Sequence, residues 1–240
     1  MPLTLSDPHH WAPVPAVVEW LTNRLSPDAR VLEVGPGHAP FFRADTFVDF
    51  APWPIQGVPP DKLVKCDLAE EPLPFADKSF DFIYCRHCLE DMYNPFPLIR
   101  EMGRVGKSGY IETPSPICEL TRGVDGGAPH YRGYNHHRFI VWSNGNGLRF
   151  VSKYPIIEYL DINDAGYADL LRTGARYWNT YHLWTDQIFY QHVQSPIDFI
   201  MPQDYGAVLT RAASQSKMST DGFWRNIPTP TTVPNLLKSA

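Results

Sequence analysis

Apolar positions in the first half of the chain follow two kinds of pattern. Val17, Val18, Trp20, Leu21 and Leu25 recur at helical spacing behind Pro15, which predicts an amphipathic helix over 15–25. Ser26-Pro27-Asp28 breaks it. Short apolar runs follow at 30–34, 46–50, 62–66, 80–85 and 110–113, and they predict five strands. Four prolines between 51 and 60 make that stretch an irregular crossover. Asn94-Pro95 marks a helix start, and Leu98, Ile99, Met102 and Val105 continue it on one side. Strands alternating with helices or crossovers imply a mainly parallel sheet.

Beyond Ser115 the pattern changes. Residues 121–135 are rich in Gly, His, Tyr and Arg, and two β-prone runs, 139–142 and 148–151, flank Asn-Gly pairs. They predict a hairpin. Residues 164–172 predict a short helix, and the aromatic stretch 177–193 ends in a strand-like run at 187–190. Tyr177, Trp178, Tyr181, His182 and Trp184 read as core or lid aromatics. Residues 197–201 and 207–210 predict a last antiparallel pair. After Ala212 the chain is rich in Ser, Thr and Pro and predicts a loose segment onto which Phe223 and Trp224 dock.

Composition removes several function classes. With 240 residues and 43% hydrophobic content, the chain is long enough for one domain with a sizeable core. A net charge of −5 argues against a large nucleic-acid footprint, so no nucleic-acid partner is expected. No apolar run is long enough to span a bilayer, and the start lacks a basic segment followed by an apolar one. A cytoplasmic location and no membrane partner are the expectations. The four cysteines suggest no disulfide framework, and Cys85-x-x-Cys88 lacks a second pair for structural zinc. His130, His136 and His137 are metal-ligand types, but neighbouring histidines on a strand point apart, so no metal site is expected. Nothing in the sequence sets the oligomeric state.

The chemistry centres on Val31-Leu32-Glu33-Val34-Gly35-Pro36-Gly37. A buried strand running into a glycine turn is where open α/β sheets take ligands, beyond the carboxyl ends of their strands. A dinucleotide fingerprint wants a third glycine, but Pro40 stands in its place. Glu33 would also repel phosphate. An uncharged or cationic ligand suits that acid better.

These residues, with strand-end Asp49, then CDLAEEPLPF, KSFDFIYCRHCLEDMYNP and REMGRVGKSGYIETPSP, resemble class I S-adenosylmethionine-dependent methyltransferases, most closely the methyltransferase type 11 group. The likeness covers residues 30 to about 116. It implies a Rossmann-like class I methyltransferase sheet, mainly parallel with its last strand antiparallel, carrying a hairpin and aromatic insertion after the fifth strand. It implies one domain over 1–212, with a cofactor half at 14–116 and a substrate-side half at 117–212, and a tail at 213–240. It implies S-adenosylmethionine as cofactor. Glu33, Gly35 and Gly37 would meet its methionine and ribose part. Asp49, followed by Phe50, would receive the ribose hydroxyls. Asp67 would bond the adenine amino group between Cys66 and Leu68, and Arg86 and His87 would line the methyl-donor pocket. The stretch between Gly37 and Asp49 is shorter than the family's usual first helix, and Asp91 replaces a frequent histidine.

Such an enzyme aligns a nucleophile and keeps water out. A hydroxyl or ammonium acceptor also needs a base, for which His87, His136 and His137 are the candidates. Arg86 or Arg138 would hold an anionic substrate group. Glu90 reads as a solvated helix residue. The expected acceptor is a small molecule or glycan-type substrate methylated on O or N. The alternatives are a non-catalytic binding module on the same fold and a nucleotide-dependent oxidoreductase.

Overall fold

The computed structural model describes residue 5 and residues 12–51, 53–193 and 202–228. Its centre is a six-stranded sheet in the order β3-β2-β1-β4-β5-β8. The strands are β1 (Val31–Val34), β2 (Thr46–Asp49), β3 (Leu63–Lys65), β4 (Phe82–Arg86), β5 (Ser108–Pro114) and β8 (Asn179–Thr185). The first five are mutually parallel, and β8 runs antiparallel to β5 along the edge. All five predicted strands form, each within two residues or so of its predicted bounds.

Alternation along these strands divides the core. Leu32, Val34, Ile83, Cys85 and Ile111 join an apolar cluster on one face. Val31, Phe82, Tyr84 and Tyr110 join a second cluster on the other. Helix α2 (Phe96–Val105) covers the first face with Leu98, Ile99, Met102 and Val105, all buried. Burying each such side chain is worth about 1.5–3 kcal/mol. Helix α1 (Pro15–Thr22) covers the second face with Val17, Trp20 and Leu21.

The hairpin forms where the Asn-Gly pairs place it. Strands β6 (Phe139–Ser143) and β7 (Leu148–Ser152) pair antiparallel, and β9 (Tyr190–His192) adds parallel to β7. Phe139, Val141, Leu148 and Phe150 face the main sheet's cluster. Ile140, Trp142 and Val151 face a third cluster with the one-turn α3 (Pro116–Glu119), α4 (Asp164–Thr173) and α5 (Pro202–Trp224). Strands β6 and β7 thus bury side chains on both faces, whereas β9 is more exposed.

Three expectations are corrected. The strand expected at 207–210 lies inside α5, and its proposed mate at 197–201 falls outside the described residues. The antiparallel edge comes instead from the aromatic stretch, as β8, whereas 187–189 lie between β8 and β9. The loose segment expected after Ala212 is helical to Trp224. The helix was hard to read because its buried stripe is Tyr205, Leu209, Ala212, Ser216 and Thr220, in which small residues replace large apolar ones. Phe223 and Trp224 do dock: the Phe223 ring stacks on Tyr181 at 4.9 Å, and Trp20 meets it edge-on at 5.4 Å.

Candidate functional site

The carboxyl ends of β1, β2 and β3 are tied together by backbone hydrogen bonds. Gly35 N donates to Val48 O, and Cys66 N donates to Asp49 O, both at 3.0 Å. Gly35 has φ +65°, and a Cβ there would stand 3.1 Å from Cys88 Sγ. Gly37 has φ +54°, but a Cβ there would meet nothing within 4 Å. The chain can turn at both positions because neither carries a side chain. The open space at Gly37 belongs to a cavity of about 250 Å³.

Glu33, Gly37, Arg86, His87, Glu90, Asp91, His136 and His137 all line that cavity. The strand register brings Glu33 and Arg86 together. Glu33 pairs across from Tyr84, and Arg86 from Glu112, so all four project from one face of the sheet. Burial pushes the Glu33 carboxyl up to about 8, although Phe41 N donates to its Oε2 at 2.7 Å and Arg86 lies near. That bond anchors the compressed loop after Gly37 from below.

Arg86 is clamped by Glu112, with Nε 2.9 Å from Oε1. Asn179 Nδ2 donates to the same oxygen at 2.8 Å, and Tyr110 Oη donates to the other. Burial alone would raise the Glu112 carboxyl, but Arg86, His87 and Tyr110 hold it down to about 2. His87 adopts φ +50°, a conformation that costs a non-glycine residue roughly 1 kcal/mol or more. Its backbone N–H donates to Glu112 O at 2.9 Å, and its ring nitrogens lie 3.6 Å from Glu90 and 3.7 Å from Glu112.

Glu90 is not a solvated helix residue, contrary to expectation. It is 1% exposed, it sits in a turn, and its carboxylate has no hydrogen-bond partner among the described residues. Burial, with Asp91 close by, pushes its carboxyl well above the usual range. The Glu90 carbonyl accepts from Arg138 N at 2.7 Å and Phe139 N at 3.1 Å. These two bonds fix the 90–91 turn against the start of β6.

His136 and His137 lie before β6 and outside any strand, so their rings do not diverge as those of strand neighbours would. The two ring centroids are 4.5 Å apart. Asp91 Oδ1 is 3.7 Å from His136 Nε2 and 3.8 Å from His137 Nε2. His137 is buried, and its Nδ1 lies 2.6 Å from Glu119 Oε1. Lys153 Nζ donates to Glu119 Oε2 at 2.6 Å. Burial would raise the Glu119 carboxyl, but Lys153 and His137 bring it to about 2. Burial and the neighbouring His137 lower His136. His130 is exposed and does not line the cavity.

Other expected cofactor positions lie along the carboxyl edge but do not line this cavity. Asp49 Oδ1 accepts from Ala51 N at 2.8 Å, and burial pushes its carboxyl up. Phe50 and Asp67 are exposed, and Cys66 and Leu68 are buried in the core. Asp67 Oδ1 accepts from Ala69 N at 3.0 Å. Arg138 also lies outside the cavity lining, and its guanidinium stands over the Tyr93 ring at 4.2 Å. Glu119 and Lys153 went unnoticed in the sequence. The one available signal was an acid set between apolar Cys118 and Leu120, where burial demands a partner.

Residues 45–111 match the family described as "Methyltransferase domain". A search of curated proteins finds no match. Among solved structures, the chain is similar to a Mesorhizobium loti S-adenosylmethionine-dependent methyltransferase at 20% identity, covering 43% of this chain and 57% of that one, with a TM-score of 0.33. It is similar to a Methanosarcina mazei S-adenosylmethionine-dependent methyltransferase at 20% identity, covering 40% and 57%, with a TM-score of 0.32. It is similar to the YcgJ protein of Bacillus at 19% identity, covering 42% and 50%, with a TM-score of 0.31. The chain spans about half the length of these solved structures. The resemblance read from the sequence holds: the chain carries a class I S-adenosylmethionine-dependent methyltransferase fold. Among the described residues, no helix is long and apolar enough to cross a membrane.

Proposed function

We propose that this chain catalyses S-adenosylmethionine-dependent methyl transfer to an oxygen or nitrogen of a small-molecule or glycan-type acceptor. The carrying observation is the cradle at the β1 end. Gly37 opens onto the cavity with nothing where a side chain would stand, and Glu33 lies on the cavity wall. A carboxyl in that place suits the positive charge of a sulfonium or ammonium and disfavours phosphate.

Glu33, Gly35, Gly37 and Arg86 would surround the methionine end, Asp49 and Phe50 the ribose, and Cys66, Asp67 and Leu68 the adenine. When bound, the cofactor supplies an electrophilic methyl group on sulfur. The chain's own task is to seat the acceptor and take its proton. Glu112 fixes Arg86 as a cation on the wall, ready for a carboxylate or similar group. His87, the residue after β4, lines the cavity and is held by its backbone bond to Glu112 O, where it would serve as the base. His136 and His137 line the same cavity.

Calorimetric titration with S-adenosylhomocysteine tests the reading. Wild type is expected to bind, and Asp49→Ala to bind at least about tenfold more weakly, since a carboxylate accepting two hydroxyls contributes well over 1 kcal/mol. An absence of heat with wild type, or equal affinity in the variant, would refute the cofactor assignment.

A further inference from the structure

The cavity lining carries a second chemistry. Asp91, His136 and His137 each turn one ligand atom inward, and these three atoms all lie within 4.8 Å of one another. An ion bound by imidazole nitrogen and carboxylate oxygen at about 2.0–2.2 Å needs donors roughly 3–3.5 Å apart. The 3.7 Å and 3.8 Å separations from Asp91 are within reach of a small rotation of the half-exposed Asp91 and His136 side chains.

Three further features favour a ligand over a chance meeting. First, His137 is aimed. Its Nδ1 lies 2.6 Å from Glu119 Oε1, which orients the ring so that Nε2 is turned toward Asp91. Glu119 is itself pinned by Lys153, and Gly133 makes room for it: a Cβ there would stand 2.6 Å from the Glu119 Cα. Carboxylate-oriented imidazole is the usual support of a bound metal ion. Second, the two ligand segments are fixed to each other by the bonds from Arg138 and Phe139 to the Glu90 carbonyl. Third, the buried Glu90 carboxylate, without a hydrogen-bond partner among the described residues, lines the same cavity beside Asp91.

We infer that Asp91, His136 and His137 form a site for one divalent transition-metal ion of the zinc or cobalt class, with its open positions facing the cavity. Two imidazoles and one carboxylate match that class better than magnesium or calcium, which prefer oxygen ligands. Three protein ligands leave room for a water or an acceptor oxygen. The role of the ion rests on the methyl-transfer reading: it would hold a hydroxyl or carboxylate of the acceptor and favour its deprotonated form. The site itself does not depend on that reading.

The test uses the full chain without an affinity tag, stripped with a chelator and titrated with cobalt(II). One equivalent is expected to bind and to produce a visible ligand-field band, and zinc(II) is expected to abolish it. Asp91→Asn and His136→Ala, both at half-exposed positions, should each weaken binding by at least about tenfold with unchanged thermal midpoints. Glu119→Gln should weaken it by about 10–100-fold. His9→Ala/His10→Ala should leave it unchanged. Equal binding by wild type and the Asp91 and His136 variants, or no band at all, would overturn the proposal. S-adenosylhomocysteine titrated into His136→Ala separates the two readings. Binding of the nucleoside without cobalt(II) binding to wild type removes the metal site alone. Cobalt(II) binding without the nucleoside removes only the methyl-transfer role.

Discussion

Arg86 Nε donates to Glu112 Oε1 at 2.9 Å across two neighbouring parallel strands, and both side chains are under one-tenth exposed. The pair forms because β4 and β5 register Arg86 directly against Glu112. It also receives Asn179 and Tyr110, so its lone pairs are used. A buried pair satisfied in this way is costly to break from one side, since the remaining charge stays desolvated. Glu112→Gln is expected to lose about 3–5 kcal/mol in urea unfolding near neutral pH. Because the folded Glu112 carboxyl is held at about 2, below its ordinary 4.5, its contribution is present above about 4.5 and is lost as pH falls toward 2. The gap between wild type and variant should therefore close in acid.

Glu33 behaves in the opposite sense. Its folded carboxyl is raised from 4.5 to about 8, so the native state holds a proton that the unfolded chain releases. The stability linked to that proton is full below about 4.5 and is lost as pH rises through about 8, at about 1.4 kcal/mol for each step of one in pH. Glu33→Gln keeps an acceptor for Phe41 N and removes the titration. Thermal midpoints of wild type should fall relative to the variant between about pH 5 and about pH 9. Parallel curves would contradict the burial of an ionisable group there. On the methyl-transfer reading, a cationic ligand beside Glu33 also drives proton release, which calorimetry in buffers of different ionisation enthalpy would detect.

The two glycines of the β1 turn should separate structure from binding. Gly35→Ala meets both a positive φ and Cys88 Sγ, so it is expected to cost roughly 2 kcal/mol or more of stability. Gly37→Ala meets only the backbone term, roughly 1 kcal/mol. Its methyl group enters the cavity, so its larger effect should fall on S-adenosylhomocysteine affinity.

Gly133→Ala should be more damaging than either. It combines φ +54° with a Cβ 2.6 Å from the Glu119 Cα, and no side-chain rotation relieves a clash with backbone. A loss of roughly 3 kcal/mol or more is expected by denaturant unfolding. Relief by Glu119→Ala should be small, because the obstructing atom belongs to the chain itself.

The fold was legible where its signals were local. Alternation in Val31–Val34 and Phe82–Arg86, the helical stripe through Leu98 and Met102, and the Asn-Gly turn each fall within one element. The second half of α5 was not legible, because Ala212, Ser216 and Thr220 bury without being strongly apolar. Glu90 and Glu119 were misread or passed over for a related reason. A buried acid looks like any surface acid until its surroundings are known.

The sequence by itself determined the succession of strands, the glycine turn at the end of β1 and the acid beneath it. These depend on residues a few positions apart, where backbone sterics and alternation act directly. Only the tertiary structure decided that Asp91 faces His136 and His137, and that Glu119, Lys153 and Gly133 stand behind them. Those neighbours come from distant stretches joined by backbone bonds between the 90–91 turn and β6. Pairing at such separations leaves no periodicity in the chain, because it is set by the packing of whole elements.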